Sequence, residues 1–109
     1  MYKVILKFYD CTEETILTTP RRFQYRNWAN RYKNYINDIC RREYNMIEYY
    51  YLYSNPDNAK DELIHKYHLS NDEIDVVLTM VLDSVQKIHD PDYIDYSWVL
   101  EVVKEGEEE

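Results

Sequence analysis

Asp61, His65 and His68 have a spacing that is compatible with metal binding, on or beside a short helix. Zinc sites built from imidazole and carboxylate groups need a further protein ligand or a water to complete a tetrahedron. Neither cysteine of the chain, Cys11 or Cys40, lies near these residues. We therefore predict no metal site and interpret both histidines as surface residues.

The sequence contains no motif for covalent or phosphate chemistry. A phosphate cradle needs several glycines, and Gly106 is the only glycine. Neither cysteine has a C-x-x-C partner, so we expect reduced thiols. Carboxylates are abundant, but an acid/base pair needs burial and two different environments. We predict a protein that is not an enzyme, with no catalytic residue and no cofactor.

Charge is distributed unevenly along the chain. Residues 21–53 hold seven Lys/Arg against three Asp/Glu, whereas residues 54–109 hold four Lys against fifteen Asp/Glu. The whole chain has a formal charge of -8. Such asymmetry indicates electrostatic recognition of a partner. It is equally compatible with pairing between the two halves of one molecule or between copies, so a homodimer is left open.

The basic segment combines cations with aromatic residues, a combination that can neutralise and stack on single-stranded nucleic acid. The candidate nucleic-acid-binding cations are Arg22, Arg26, Arg31, Lys33, Arg41 and Arg42. Helical spacing divides these cations between two flanks, and it places the aromatic residues on a predicted core stripe. We therefore favour a structural helix here and keep direct nucleic-acid binding, or a transcriptional regulator, as the alternative.

The elements that must position these groups begin with a hairpin. Residues 2–9 alternate in polarity as a strand does, residues 10–14 form a polar turn, and residues 15–19 form the returning strand. Thr19 and Pro20 look like a helix N-cap followed by a first-turn proline. A long helix is predicted from about Arg22, through residues 46–53. Its core stripe is predicted at Tyr25, Trp28, Tyr32, Tyr35/Ile36, Ile39 and Met46.

Two more helices and a last strand follow. Asn55-Pro56 repeats the cap-then-proline signal before a short helix that ends near Lys66. Ser70 and Glu73 form a capping box, flanked by the hydrophobic staple Leu69 and Ile74. That helix ends near 87–89, and the Val-rich residues 98–103 favour a strand over a helix. We predict one α+β domain over residues 1–109: a hairpin with a third C-terminal strand, packed on about three helices.

Residues 59–82 resemble a helix-turn-helix. The resemblance rests on apolar packing positions, which are Ala59, Leu63, Leu69, Ile74 and Leu78. The usual turn glycine is replaced by His68, and the second helix begins with Asp72, Glu73 and Asp75. Because DNA phosphates repel carboxylates, we predict that this segment keeps the shape of the motif without reading DNA.

The acidic half offers a surface for a basic partner. Carboxylates on a rigid scaffold can imitate nucleic-acid phosphates, and neighbouring aromatic residues can anchor the contact. The predicted partner-binding residues are Asp72, Glu73, Asp75, Asp90, Asp92, Asp95, Tyr93, Tyr96 and Trp98.

In size, composition and its acidic EGEEE ending, the chain resembles the small anti-CRISPR and anti-restriction inhibitors of bacteriophages and mobile elements. The resemblance implies an inhibitor that occupies the nucleic-acid-binding groove of a host defence enzyme, as a DNA mimic. We find no membrane span and no signal peptide, so we expect action in the host cytoplasm. A self-assembling structural protein is a third alternative.

Overall fold

The computed structural model describes residues 1–9, 13–92 and 97–106, with Ser97 described by its backbone alone. In chain order the elements are β1 (Tyr2–Tyr9), β2 (Glu14–Thr18), α1 (Arg26–Tyr53), α2 (Asn58–Tyr67), α3 (Asn71–His89) and β3 (Ser97–Lys104). The predicted α+β class is confirmed, as are the hairpin, the third strand and a long first helix.

The three strands form an antiparallel sheet in the order β2-β1-β3. On one side β1 pairs from Ile5↔Thr18 to Tyr9↔Glu14, and on the other side from Tyr2↔Lys104 to Tyr9↔Ser97. Because strand side chains alternate between faces, Val4 and Leu6 share a face and join Leu100 in the core with residues of all three helices. The strand predicted at 98–103 is therefore present and slightly longer.

Helix α1 begins later than the sequence suggested, so the predicted cap at Thr19 and Pro20 is wrong. The buried Thr19 hydroxyl donates to the carbonyl of Val4 at 2.6 Å, and Phe23 exchanges two backbone hydrogen bonds with Tyr2. These contacts hold the segment before the helix against the sheet. Tyr25 is the N-cap, and no side chain caps this end of the helix.

The core stripe of α1 is shifted relative to the prediction. Its buried residues are Ala29, Tyr32, Ile36, Ile39, Glu43 and Ile47. Tyr25, Trp28 and Tyr35, which we expected in the core, are exposed. Tyrosine and tryptophan are amphipathic, so their spacing does not decide which flank is buried. The helical prediction for residues 46–53 is confirmed.

The start of α2 also differs, because the N-cap is Asp57 and not Asn55. The Asn55 side chain instead accepts a hydrogen bond from the backbone N–H of Asp57 at 2.9 Å, which forms a turn before the helix. Helices α2 and α3 are joined through His68, whose φ of 56° is the left-handed conformation that closes many helices.

The start of α3 agrees with the sequence. The Ser70 hydroxyl accepts from the Glu73 N–H at 3.3 Å, and the Glu73 carboxylate accepts from the Ser70 N–H at 3.0 Å. Leu69 and Ile74 are buried, and α3 ends at His89 as predicted. In the part of the chain that the structure describes, no helix has an apolar stretch long enough to cross a bilayer.

Candidate partner-binding surfaces

The exposed carboxylates of α3 form two clusters. Asp72 and Asp75 lie on its first turns, and Asp90 and Asp92 lie just after its C-terminal end. With a rise of 1.5 Å per residue, roughly 27 Å separates Asp72 from Asp90. None of the four carboxylates forms an ion pair with another described residue. The predicted acidic surface is thus divided between the two ends of one helix.

Glu73 does not belong to this surface, which corrects our expectation of an exposed carboxylate. It is 2% exposed, and it accepts hydrogen bonds from Ser70 and from the Tyr32 hydroxyl. Arg21 Nε lies 3.6 Å from its second carboxylate oxygen. Burial, together with this hydrogen bond to Glu73, raises the pKa of Tyr32. Glu73 therefore ties α3 to α1 inside the molecule.

Trp98 is partly exposed at the start of β3, and its indole N–H donates to Asp83 at 3.0 Å. Asp83 is itself buried, with Lys87 at 4.0 Å on the same helix. This fixed indole remains a candidate anchor for a partner. The other predicted aromatic anchors, Tyr93 and Tyr96, and the carboxylate Asp95 lie outside the described residues.

A groove of about 680 Å³ lies between α1 and α3, and Trp98 of β3 also lines it. Its lining residues include Asn34, Asn37, Arg41, Tyr44 and Ser84. The Tyr44 hydroxyl is buried without a hydrogen-bond partner among the described residues. Cys40 also lines the groove, and burial raises its pKa to about 12. A thiol with that pKa is protonated at neutral pH and is a poor nucleophile.

Most cations of the basic segment are engaged within the molecule. Arg21 pairs with Glu73, Arg22 with Glu105 and Arg41 with Asp38. The Arg26 guanidinium lies 5.0 Å from the ring centroid of Tyr2. Arg31, Lys33 and Arg42 form no ion pair with a described residue, and of these three Lys33 is half-buried. Of the cations proposed for nucleic acid, Arg22, Arg26 and Arg41 are therefore engaged within the molecule, although they are exposed.

Two further carboxylates of α1 hold the other helices in place. Glu43 is buried and accepts from Lys66 Nζ at 2.9 Å and from the Tyr67 hydroxyl at 2.8 Å, which attaches α2. Glu48 lies 2.9 Å from His89 Nε2 at the end of α3. These contacts join residues far apart in sequence, so residue spacing does not reveal them.

Alkaline pH is expected to destabilise the protein. Burial raises the pKa of Tyr32, Tyr44 and Tyr67 above the ordinary value of 10, and that of Cys40 above 9. The unfolded chain therefore loses these protons at a lower pH than the native state does, so stability falls as pH rises above about 9. Urea unfolding followed by circular dichroism at pH 7, 9 and 10.5 measures this loss.

The variant Tyr44→Phe serves as the control for this pH dependence. It removes a hydroxyl that has no described partner, so stability at pH 7 should stay equal or rise by up to about 1 kcal/mol. The loss of stability above pH 10 should be smaller than in the wild type. A wild-type protein whose stability increases between pH 9 and pH 10.5 would contradict the argument.

No three His, Cys, Asp or Glu side chains are grouped as metal ligands within residues 1–9, 13–92 and 97–106. Comparison of the chain with protein-family models, with curated proteins and with solved structures finds no match.

Proposed function

We propose that this protein is a non-enzymatic inhibitor of the kind that bacteriophages and mobile elements direct against host defence. It binds, in the host cytoplasm, a protein with a basic nucleic-acid-binding groove. One observation carries the proposal: Asp72, Asp75, Asp90 and Asp92 are exposed without an ion pair to a described residue, whereas three cations of the basic segment, Arg21, Arg22 and Arg41, pair with carboxylates of the same molecule. The molecule therefore presents uncompensated negative charge.

The spacing of the two acidic clusters supports mimicry of a duplex. Along B-DNA each base pair adds about 3.4 Å, so a separation of roughly 27 Å corresponds to about eight base pairs. Both clusters flank a single helix, α3, which is anchored by buried residues from Glu73 to Val85. A rigid anionic surface of this kind steers a cationic groove towards itself over long distances.

The test compares capture of host proteins by the wild type and by the variant Asp72→Lys, Asp75→Lys, Asp90→Lys, Asp92→Lys. We expect the wild type to retain a nucleic-acid-binding protein, and the variant to bind that protein at least about 100-fold more weakly. Affinity for the wild type should fall at least about tenfold between roughly 50 and 300 mM salt. Calorimetry with the purified partner measures both effects.

A matched control places the same kind of charge reversal on α2, at the exposed Asp61 and Glu62. This control variant should weaken binding much less than the double variant Asp72→Lys, Asp75→Lys does, because its two substitutions do not lie on α3. Equal losses of affinity in the two variants would mean that only the net charge of the protein matters. That result would contradict a binding surface on α3. Binding that is insensitive to salt would also exclude mimicry.

A second candidate function, direct nucleic-acid binding, is favoured by the exposure of Tyr25, Trp28 and Tyr35. Tyr25 and Trp28 form an edge-to-face pair at 4.7 Å, and Arg31 lies one turn further along the helix. Aromatic residues beside a cation are what single strands stack on. An electrophoretic shift assay at low salt with single-stranded DNA and RNA tests this function, and the absence of any shift would remove it.

A further inference from the structure

The outward side of α1 carries two interleaved series of residues, each repeating every seven positions. One series is Trp28, Tyr35, Arg42 and Tyr49, and the other is Arg31, Asp38, Asn45 and Leu52. We call these eight residues the outer face of α1. A seven-residue repeat keeps one stripe of a helix in register with a second helix along its whole length. The buried stripe of α1 faces the core, so the outer face is a second stripe, of which Asp38 also lines the groove between α1 and α3.

Its composition is that of a protein interface. Trp28 is 46% exposed, Tyr35 38%, Tyr49 59% and Leu52 43%, although all four are large hydrophobic or aromatic residues. Trp, Tyr and Arg are the residues most enriched where binding energy concentrates. Among the described residues, α2 touches these side chains at Tyr67, whose ring centroid lies 6.5 Å from that of Tyr35. Other ring contacts are local, such as that of Trp28 with Tyr25 at 4.7 Å.

We propose that a second copy of this chain packs antiparallel against the outer face of α1, across a two-fold axis beside residue 40. In antiparallel helix pairs, one series packs against the other series of the partner helix. Trp28 then faces Leu52 of the second copy, Arg31 faces Tyr49, Tyr35 faces Asn45, and Asp38 faces Arg42. Because α1 spans Arg26–Tyr53, this axis lies at its midpoint and the face is used from end to end.

Three of these four contacts join complementary groups, and the symmetry makes each occur twice. Asp38 and Arg42 have opposite charges, Arg31 can lie over the ring of Tyr49 as a cation–π pair, and Trp28 with Leu52 is apolar. In the single chain, one carboxylate oxygen of Asp38 accepts from Arg41, which leaves the other oxygen for Arg42 of the second copy.

Charge also decides the direction of packing. A parallel arrangement in register would place Arg42 against Arg42 and Asp38 against Asp38, and like charges in contact oppose association. The face is about 36 Å long and about one helix, roughly 10 Å, wide, so its area is well below the area of about 800 Å² per partner in a standard interface. We therefore expect a dimer that dissociates in the micromolar range. The inference does not depend on the acidic surface or on the proposed function.

Sedimentation equilibrium of the full chain, from about 1 to 300 µM, tests the proposal. The mass should rise from 13.5 kDa towards twice that value with concentration. Asp38→Arg and Arg42→Asp should each weaken association at least about tenfold, because each places like charges opposite one another. The double variant carrying both changes should restore association, since its charges are exchanged and again complementary.

Trp28→Ala should also weaken association, whereas Ile88→Ala, at an exposed position on α3, should not change it. Circular dichroism and thermal unfolding verify that every variant is folded. A chain that stays monomeric throughout the range would overturn the proposal. So would a dimer that tolerates both single charge reversals, or one that the double variant fails to restore.

Discussion

Replacing Glu73 with alanine is expected to lower the free energy of unfolding by about 3 kcal/mol. The carboxylate completes the capping box of α3, accepts from the buried Tyr32 hydroxyl and lies 3.6 Å from Arg21. Its removal deprives the Ser70 N–H and the Tyr32 hydroxyl of their acceptor inside the protein. A buried donor that loses its acceptor is costly because it has also lost water.

Urea unfolding at pH 7 measures this change, which corresponds to a loss of about 15 °C in Tm. Asp75→Ala is the matched control: it removes a carboxylate two residues away, but from an exposed position, and should change stability by less than about 0.5 kcal/mol. Glu73→Gln keeps an acceptor oxygen, so the stability of this variant should lie between those of the Glu73→Ala and Asp75→Ala variants. Equal stabilities for the Glu73→Ala and Asp75→Ala variants would mean that the buried network contributes nothing.

The substitution Leu63→Ala is expected to lower the free energy of unfolding by a similar amount, about 3 kcal/mol, because it opens a cavity under α2. This helix buries only Ala59 and Leu63, so Leu63 provides most of its apolar anchorage. The other contacts of α2 with α1 include the hydrogen bonds of Lys66 and Tyr67 to the buried Glu43 and that of Tyr50 to Glu62. The Lys66 and Glu62 side chains are exposed. We therefore expect α2 to detach from α1 before the rest of the molecule unfolds.

Amide hydrogen exchange distinguishes local from global loss. In the Leu63→Ala variant, the amides of α2 should lose more protection than those of α3. Ile64→Ala removes a side chain of similar size from the neighbouring position, which is 41% exposed, and should cost less than about 1 kcal/mol. Uniform loss of protection across α2 and α3 would contradict the separate attachment of α2.

Local signals in the sequence were sufficient for several elements. The capping box needs only Ser70 and Glu73, three residues apart, and its hydrogen bonds lie within one turn. The β-branched residues Val99, Val102 and Val103 favoured a strand at 98–103, although Asp90-Pro91 left a helix open, and the strand is present. The predicted start of α1 was wrong because Thr19 is held by Val4, fifteen residues earlier, and no local pattern contains that bond.

The candidate acidic surface could likewise be predicted only in part, because local sequence does not decide which of its carboxylates are exposed. Asp72, Glu73 and Asp75 are equivalent as sequence letters, yet only Glu73 is buried. The reason is Tyr32, which is 41 residues away and reaches Glu73 only after α1 and α3 have packed together. Likewise, Tyr32 is buried while Trp28, one turn earlier, is exposed, because the position of the sheet and of α3 decides which flank of α1 is covered.

The strand order β2-β1-β3 has a consequence for how the protein is made. β1 is the middle strand, yet one of its two partners, β3, is translated only after all three helices. Beyond the paired residues of β1 and β3, the Glu105 N–H donates to the Met1 carbonyl at 2.9 Å. During synthesis, one edge of β1 therefore stays unpaired while the helices can already form, because the pairing of β1 with β3 joins residues that are far apart in the sequence. Fluorophores attached at residues 1 and 106 would approach each other when β3 pairs with β1. Energy transfer between them would therefore report when this last step of folding occurs.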